Sequence, residues 1–247
     1  MLGDALPHYL LVCLIFFAAG AVKGVVGLGL PTVAMGLLGL FMTVPQAAAL
    51  LTVPSLATNL WQATAGPHLV QLIARLWRMQ VAVVAGTVST AALFPWQDDG
   101  MASRFLGACL ILYAGSGLAG WRLPAANGRW AALTGVAAGA ATGGVTAVTG
   151  VFVLPAVPYL QSMGLTKDEL AQALGMSFTT STLAMGIVLI ARDELTAAAS
   201  LQSFAVLLPA LGGMLAGQAL RRTMSEAVFR RCLFWGLLML GAWLALR

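Results

Sequence analysis

The chain has 247 residues, 60% of them hydrophobic and only 9% charged, with a formal net charge of +5 and a mean hydropathy of +0.91. Soluble domains average roughly 25% charged residues, so this composition excludes a water-soluble globular protein and describes one built for a bilayer. The thirteen Lys and Arg are scattered singly or in pairs at the ends of apolar runs, which reads as loop charge that orients membrane segments and excludes a nucleic-acid partner.

Apolar runs fall at about 8–26, 31–42, 45–63, 72–94, 102–121, 130–148, 153–162, 168–190, 197–219 and 226–246. Residues 1–7 carry Asp4 and no Lys or Arg, so the first run is expected to be a retained membrane helix and not a cleaved signal. The runs at 31–42 and 153–162 are only ten to twelve residues long. As helix each would cover roughly 15–18 Å, about half the hydrocarbon thickness. Each follows a glycine-rich stretch and begins at or just before a proline, Pro31 or Pro155. Cys13, Cys109 and Cys232 lie in apolar segments without metal or redox spacing and read as small core residues, so no metal and no cofactor is expected.

The two short runs occupy matching places, which points to an internal duplication. A shift of about 122 residues lays LTVPSLATNLW (51–61) on ALGMSFTTSTL (173–183) and Trp121 on Trp243. The charges orient the copies. If the short runs do not change sides, the non-embedded positive residues divide six against six. If all five elements of each half alternate sides, one face collects nine: Arg75, Arg78, Arg122, Arg129, Lys167, Arg221, Arg222, Arg230 and Arg231. The other face keeps Arg104, Arg192 and Arg247 beside Asp4, Asp98, Asp99, Asp193 and Glu194. Because positive residues favour the cytoplasmic side, the prediction is an all-α polytopic membrane protein of two inverted repeats, 1–122 and 123–247. Each has about five elements, giving eight longer helices plus two short half-helices broken at Gly/Pro stretches, with both termini outside the cytoplasm.

In such folds the substrate lies near mid-membrane beside broken helices, because backbone freed at a break must be buried in protein or line a polar cavity. The stretch GVVGLGLP (24–31) is one such break: Gly27 and Gly29 loosen the chain and Pro31 suits a first helical turn. A half-helix starting there, with Thr32 in its first turn, would present free amides and a positive dipole end to an anion. The stretch ATGGVTAVTGVFVLPAVPY (141–159) repeats this with Gly143, Gly144, Gly150 and Pro155, and adds Thr142, Thr146 and Thr149 as hydroxyl donors. Single glycines in these segments read as helix-packing positions. Ser55, Thr58, Asn59 and Gln62 share one helical face, and Ser177, Thr180 and Ser181 hold the shifted positions. These groups serve either ligand contact or helix-to-helix bonding. Lys23 is the ionisable residue well inside an apolar run; it reads equally as an attraction for a substrate anion and as a cation snorkelling to the interface.

GAVKGVVGLGLPTVAMGLL (20–38) with AAALLTVPSLATNLWQ (47–62) resembles the first-half signature of the sulfite exporter TauE/SafE family, also called the toluenesulfonate uptake permease superfamily. The segment from Gly139 to Thr182 is similar to that family's second repeat, so the likeness spans both halves. This chain carries Gly27-Leu28-Gly29-Leu30 where a triple-glycine motif is commoner. The resemblance implies a bacterial inner-membrane carrier, not an enzyme, for small anions such as sulfite, sulfonates or sulfoacetate. The expected partners are that anion and the lipid bilayer, with a homodimer allowed. The expected mechanism is alternating access around a site at the two breaks, and an anion channel is the alternative.

Overall fold

A computed structural model describes residues 5–94, 100–121, 129–223 and 225–246. Asp4, Asp98, Asp99, Arg122 and Arg247, used above to orient the chain, lie outside them. The described residues form eleven helices and no strand: α1 Ala5–Val26, α2 Leu30–Leu38, α3 Val44–Thr64, α4 Leu69–Leu93, α5 Met101–Leu118, α6 Arg129–Thr149, α7 Ala156–Ser162, α8 Lys167–Ala191, α9 Ala197–Ala205, α10 Leu207–Leu220 and α11 Glu226–Leu246. Seven spans are long and apolar enough to cross a membrane, α9 and α10 counting as one. The 21-residue α3 is not among them. Its Gln46, Thr52, Ser55, Thr58, Asn59 and Gln62 make it too polar to face lipid, so it has to be wrapped by protein.

Local chemistry starts and stops these helices. α2 opens at Leu30, directly after Gly29 at φ 110°, with Pro31 in its first turn, where the missing N–H removes no helical bond. α3 opens with the Thr43 N–H donating to Gln46 Oε1 at 3.2 Å, and α8 with the Thr166 N–H donating to Glu169 Oε2 at 2.8 Å. Each is a cap that satisfies an orphan first-turn donor. α9 and α10 are separated by Val206 alone because Pro209 cannot supply the amide of a continuous helix and crowds the carbonyl four residues back. Pro54 sits inside α3 and frees the Leu50 carbonyl; the Ser203 hydroxyl of α9 donates to that carbonyl at 2.7 Å and accepts from the Val53 N–H at 3.0 Å.

Four close helix pairs build the body: α1 with α10, α4 with α6, α3 with α8 and α5 with α11. Glycines set their spacing. Gly213 lies on Phe17 and Gly217 on Ala21, so α1 and α10 run parallel; Gly139 on Met79 and Gly143 on Val83 make α4 and α6 parallel. Gly175 on Ala63 and Gly186 on Thr52 make α3 and α8 antiparallel, as do Gly107 on Ala245 and Gly117 on Phe234 for α5 and α11. In lipid the tails are as apolar as leucine, so this close backbone approach, not water exclusion, carries the association. Phe16, Leu30, Met35, Leu106, Leu110, Leu160, Phe178 and Leu189 fill the space between the pairs and are fully buried.

The run at 197–219, read as one element, is split at Val206 into α9 and α10, and the second break also differs from the sequence reading. α6 continues through Gly143 and Gly144 to Thr149, because Gly143 serves packing on α4 and the Thr142, Thr146 and Thr149 hydroxyls donate to carbonyls within the helix; the second break is confined to residues 150–155. The short run at 153–162 becomes helical only after Pro155. α2 folds back along α1, so that Phe41, just past its end, meets His8 edge-on with ring centroids 5.4 Å apart.

Candidate functional site

The first break is a pair of glycines. Gly27 at φ 80° and Gly29 at φ 110° hold left-handed backbone, where a β-carbon costs roughly 1–2 kcal/mol. The Gly27 N–H donates to the Lys23 carbonyl at 2.7 Å, closing α1, and the Gly27 carbonyl accepts from Gln62 Nε2 of α3 at 3.0 Å. Gln62 Nε2 also reaches the Ala171 carbonyl of α8 at 3.0 Å. The side of Gly27 where a side chain would stand is open. Around this break α1, α3 and α8 therefore meet.

Lys23 lies one turn before Gly27 and is 4% exposed; among the described residues it is the one charged side chain in the buried set. Its amine donates to Asn59 Oδ1, and it has no carboxylate within ion-pair distance among the described residues. The amine is thus enclosed by protein. Asn59 Nδ2 donates to Ser55 Oγ at 2.9 Å, and Ser55 Oγ lies 3.0 Å from Thr182 Oγ1 of α8. Thr182 spends its hydrogen on the Phe178 carbonyl at 2.7 Å, so Ser55 must be the donor to Thr182. The bonds run in one direction, from Lys23 to Asn59, Ser55, Thr182 and Phe178, and join α1 to α8 through α3.

The remaining candidates divide by whether their hydrogens are committed. Thr58 donates to the Pro54 carbonyl at 2.7 Å and Thr180 to the Met176 carbonyl at 3.1 Å; the α3–α8 register set by Gly175 and Gly186 places these two level with each other. Thr142, Thr146 and Thr149 each donate to a carbonyl four residues back at 2.7 Å, and Thr149 Oγ1 also accepts from the Val151 N–H at 3.2 Å. By contrast, Thr32, Ser177 and Ser181 are fully buried with no hydrogen-bond partner for their hydroxyls. A buried hydroxyl left so costs on the order of 1–3 kcal/mol, so these three groups call for a partner that the protein itself does not supply. Thr32 is in the first turn of α2; Ser177 and Ser181 are on the stretch of α8 that faces Asn59 and Ser55.

Two residues essential to this arrangement are not among the sequence candidates. Thr182 ends the bond chain. Gln172, 3% exposed, accepts from the His68 N–H at 2.9 Å and donates to the Ala63 and Gly66 carbonyls at 2.8 Å, tying the α3–α4 turn to α8. The second break is built differently. Gly150 at φ 68° leads into a buried Val151–Phe152–Val153 segment and a cis Leu154–Pro155 peptide. Met35 of α2 closes over Gly150, its Cε 2.6 Å from where a β-carbon would stand, and Phe152 packs on Phe178 with centroids 5.2 Å apart.

Among the described residues no cluster of His, Cys, Asp or Glu could hold a metal ion. Cys13, Cys109 and Cys232 are free thiols. No curated protein and no solved structure matches the chain. The family model described as "Sulfite exporter TauE/SafE" matches residues 12–244, nearly the whole length and both breaks with their buried polar helices. The chain belongs to the sulfite exporter TauE/SafE family of membrane transporters.

Proposed function

We propose that this transporter is a secondary carrier of small anions, sulfite and organic sulfonates among them, which it exposes alternately to the two sides of a bacterial inner membrane. The observation that carries this reading is Lys23: a buried amine tied to a neutral amide, with no carboxylate partner among the described residues. An unpaired buried cation costs several kcal/mol, and a bound anion offsets that cost. Thr32, Ser177 and Ser181 supply uncommitted hydroxyl donors, and the α2 amino end adds the free amides of Leu30 and Thr32.

The packing supports an inverted duplication as the frame for this site. Helices at matching places in the two halves, α3 with α8 and α5 with α11, run antiparallel to each other; α1 pairs with α10 as α6 pairs with α4. Two contacts, read with the positive-inside rule, support a sidedness for this frame. Arg75 donates to the Met163 carbonyl at 3.2 Å, bringing the starts of α4 and α8 to one face. Arg192 donates to the Ala91 carbonyl, bringing their ends to the other. With Arg75, Arg78 and Lys167 on the first face, that face is cytoplasmic and the α1 start is periplasmic.

The test is counterflow in proteoliposomes. A carrier gives saturable uptake of labelled sulfite or sulfonate that is accelerated by the same anion trapped inside, and Asn59→Ala abolishes it. Flux that neither saturates nor exchanges identifies a channel; no anion flux at all, with the protein folded, overturns the reading.

A further inference from the structure

We propose that the space between the end of α5 and the start of α11 binds the headgroup phosphate of an acidic phospholipid through Arg230 and Arg231. The space comes from a mismatch in length where this antiparallel pair ends. Gly107 on Ala245 and Gly117 on Phe234 set a register that brings Leu118, the last residue of α5, level with Leu233. Residues 226–232 of α11 therefore project beyond α5, by roughly 10 Å at 1.5 Å per residue, and the chain leaves α5 through Gly120 at φ 63°. Beside the projection is a cavity of about 400 Å³ whose walls include Leu118, Glu226, Arg230, Arg231 and Phe234. None of its lining residues belongs to either break, so the site stands apart from the anion-carrier reading above.

Positions 226, 230 and 234 follow one another at intervals of four and share a stripe of α11. Phe234 forms a rigid floor: Tyr113 meets it edge-on with ring centroids 5.5 Å apart, its ring covers Gly117, and the Arg230 guanidinium lies over it at 5.8 Å. Arg230 and Arg231 are exposed, and neither has an ion pair or a hydrogen bond among the described residues. The carbonyls at the end of α5 do not engage them, because those of Gly115, Ser116 and Gly117 accept from the Ala119, Trp121 and Gly120 N–H groups. Glu226, the one carboxylate in the lining, already has Arg221 at 3.4 Å. Two uncommitted guanidinium forks remain, and such forks match phosphate oxygens two at a time. A lipid is the occupant because α5 and α11 are both candidate membrane spans and the cavity sits where they end, at headgroup depth. Trp121, just past α5, and Trp235, next to Phe234, are exposed in the manner of interfacial anchors. Basic pockets between helices on the cytoplasmic side suit acidic headgroups, whereas a zwitterionic headgroup would set its own ammonium against two arginines.

The experiment is native mass spectrometry of the full chain in detergent, titrated with phosphatidylglycerol and with phosphatidylcholine of the same acyl chains. Phosphatidylglycerol is expected to be retained at least about tenfold more tightly. Arg230→Gln combined with Arg231→Gln is expected to remove that preference, while Arg78→Gln, which changes an exposed cation outside the cavity, keeps it. No preference in the unmodified chain, or one that survives the double variant or falls equally with Arg78→Gln, overturns the site. Displacement of the lipid by an equal concentration of inorganic phosphate or glycerol phosphate assigns the cavity to a soluble anion and overturns the lipid reading. If the double variant does not fold, Glu226→Gln decides: loss of the carboxylate is expected to tighten phosphatidylglycerol at least about twofold, and unchanged or looser retention overturns the proposal.

Discussion

At the first break Lys23 stands four residues before Gly27, and at the second Thr146 stands four residues before Gly150; each gives its carbonyl to the glycine's N–H, at 2.7 and 2.8 Å. Both glycines hold positive φ. Beyond that shared turn the two places diverge. The first is a buried amine beside an open-sided Gly27 and the part-exposed Gln62; the second is a run of internally satisfied threonines sealed by Met35 and by Phe152 on Phe178. The backbone device is repeated because a chain inside a membrane has few ways to stop a helix. The side-chain chemistry is not repeated: the first break has the buried Lys23 amine and the second has no charged side chain among its described buried residues.

Substitutions at equivalent stations break or sharpen this contrast. Lys23→Met is expected to weaken methanesulfonate binding at least about a hundredfold, the scale of removing one partner from a buried charge pair, whereas Thr146→Val costs less than about threefold because its hydroxyl already serves the Thr142 carbonyl. Equal losses in titration calorimetry would erase the distinction between the breaks. Next in size, both Gly27→Ala and Gly150→Ala meet the left-handed penalty of about 1–2 kcal/mol. Gly150→Ala also drives a methyl into Met35, adding about 1–3 kcal/mol of overpacking. The melting midpoint should fall further for Gly150→Ala, and Met35→Ala in the same chain should recover part of the difference.

Asn59→Asp probes the first break alone. It gives Lys23 an internal counter-ion, so the anion-free melting midpoint holds or rises while sulfonate affinity drops at least about tenfold. Affinity unchanged in that variant would mean Lys23 is not where the anion sits. The smallest effect expected is for Thr182→Val, which deprives Ser55 of its acceptor at a cost of about 1 kcal/mol and loosens affinity by less than about fivefold, because it acts through two intervening groups.

Much of the frame is legible in the residues. The apolar runs, the two short elements and the glycine-proline punctuation locate the helices, and the polar face of α3 identifies Ser55 and Asn59. Thr182 escapes for a geometric reason. A repeat shift lays Ser55 on Ser177, but antiparallel helices bring residue and equivalent together only at the crossing, near Thr58 and Thr180; away from it Ser55 meets Thr182 instead. Gly143 and Gly144 look like part of a break because sequence alone does not separate a glycine that loosens a helix from one that admits a neighbour, here α4. Ser203 is invisible for a related reason. Its task is to mend the bonds that Pro54 removes from a helix some 150 positions earlier.

The glycine seams have one more consequence. Those of α1 with α10 and α4 with α6, like the antiparallel contacts of α3 with α8 and α5 with α11, all join a helix from before residue 122 to one from after it. A gene cut midway would yield two fragments whose tightest helix surfaces are each addressed to the other. Mechanically the chain divides not at its centre but into couples that each draw one helix from either side of it.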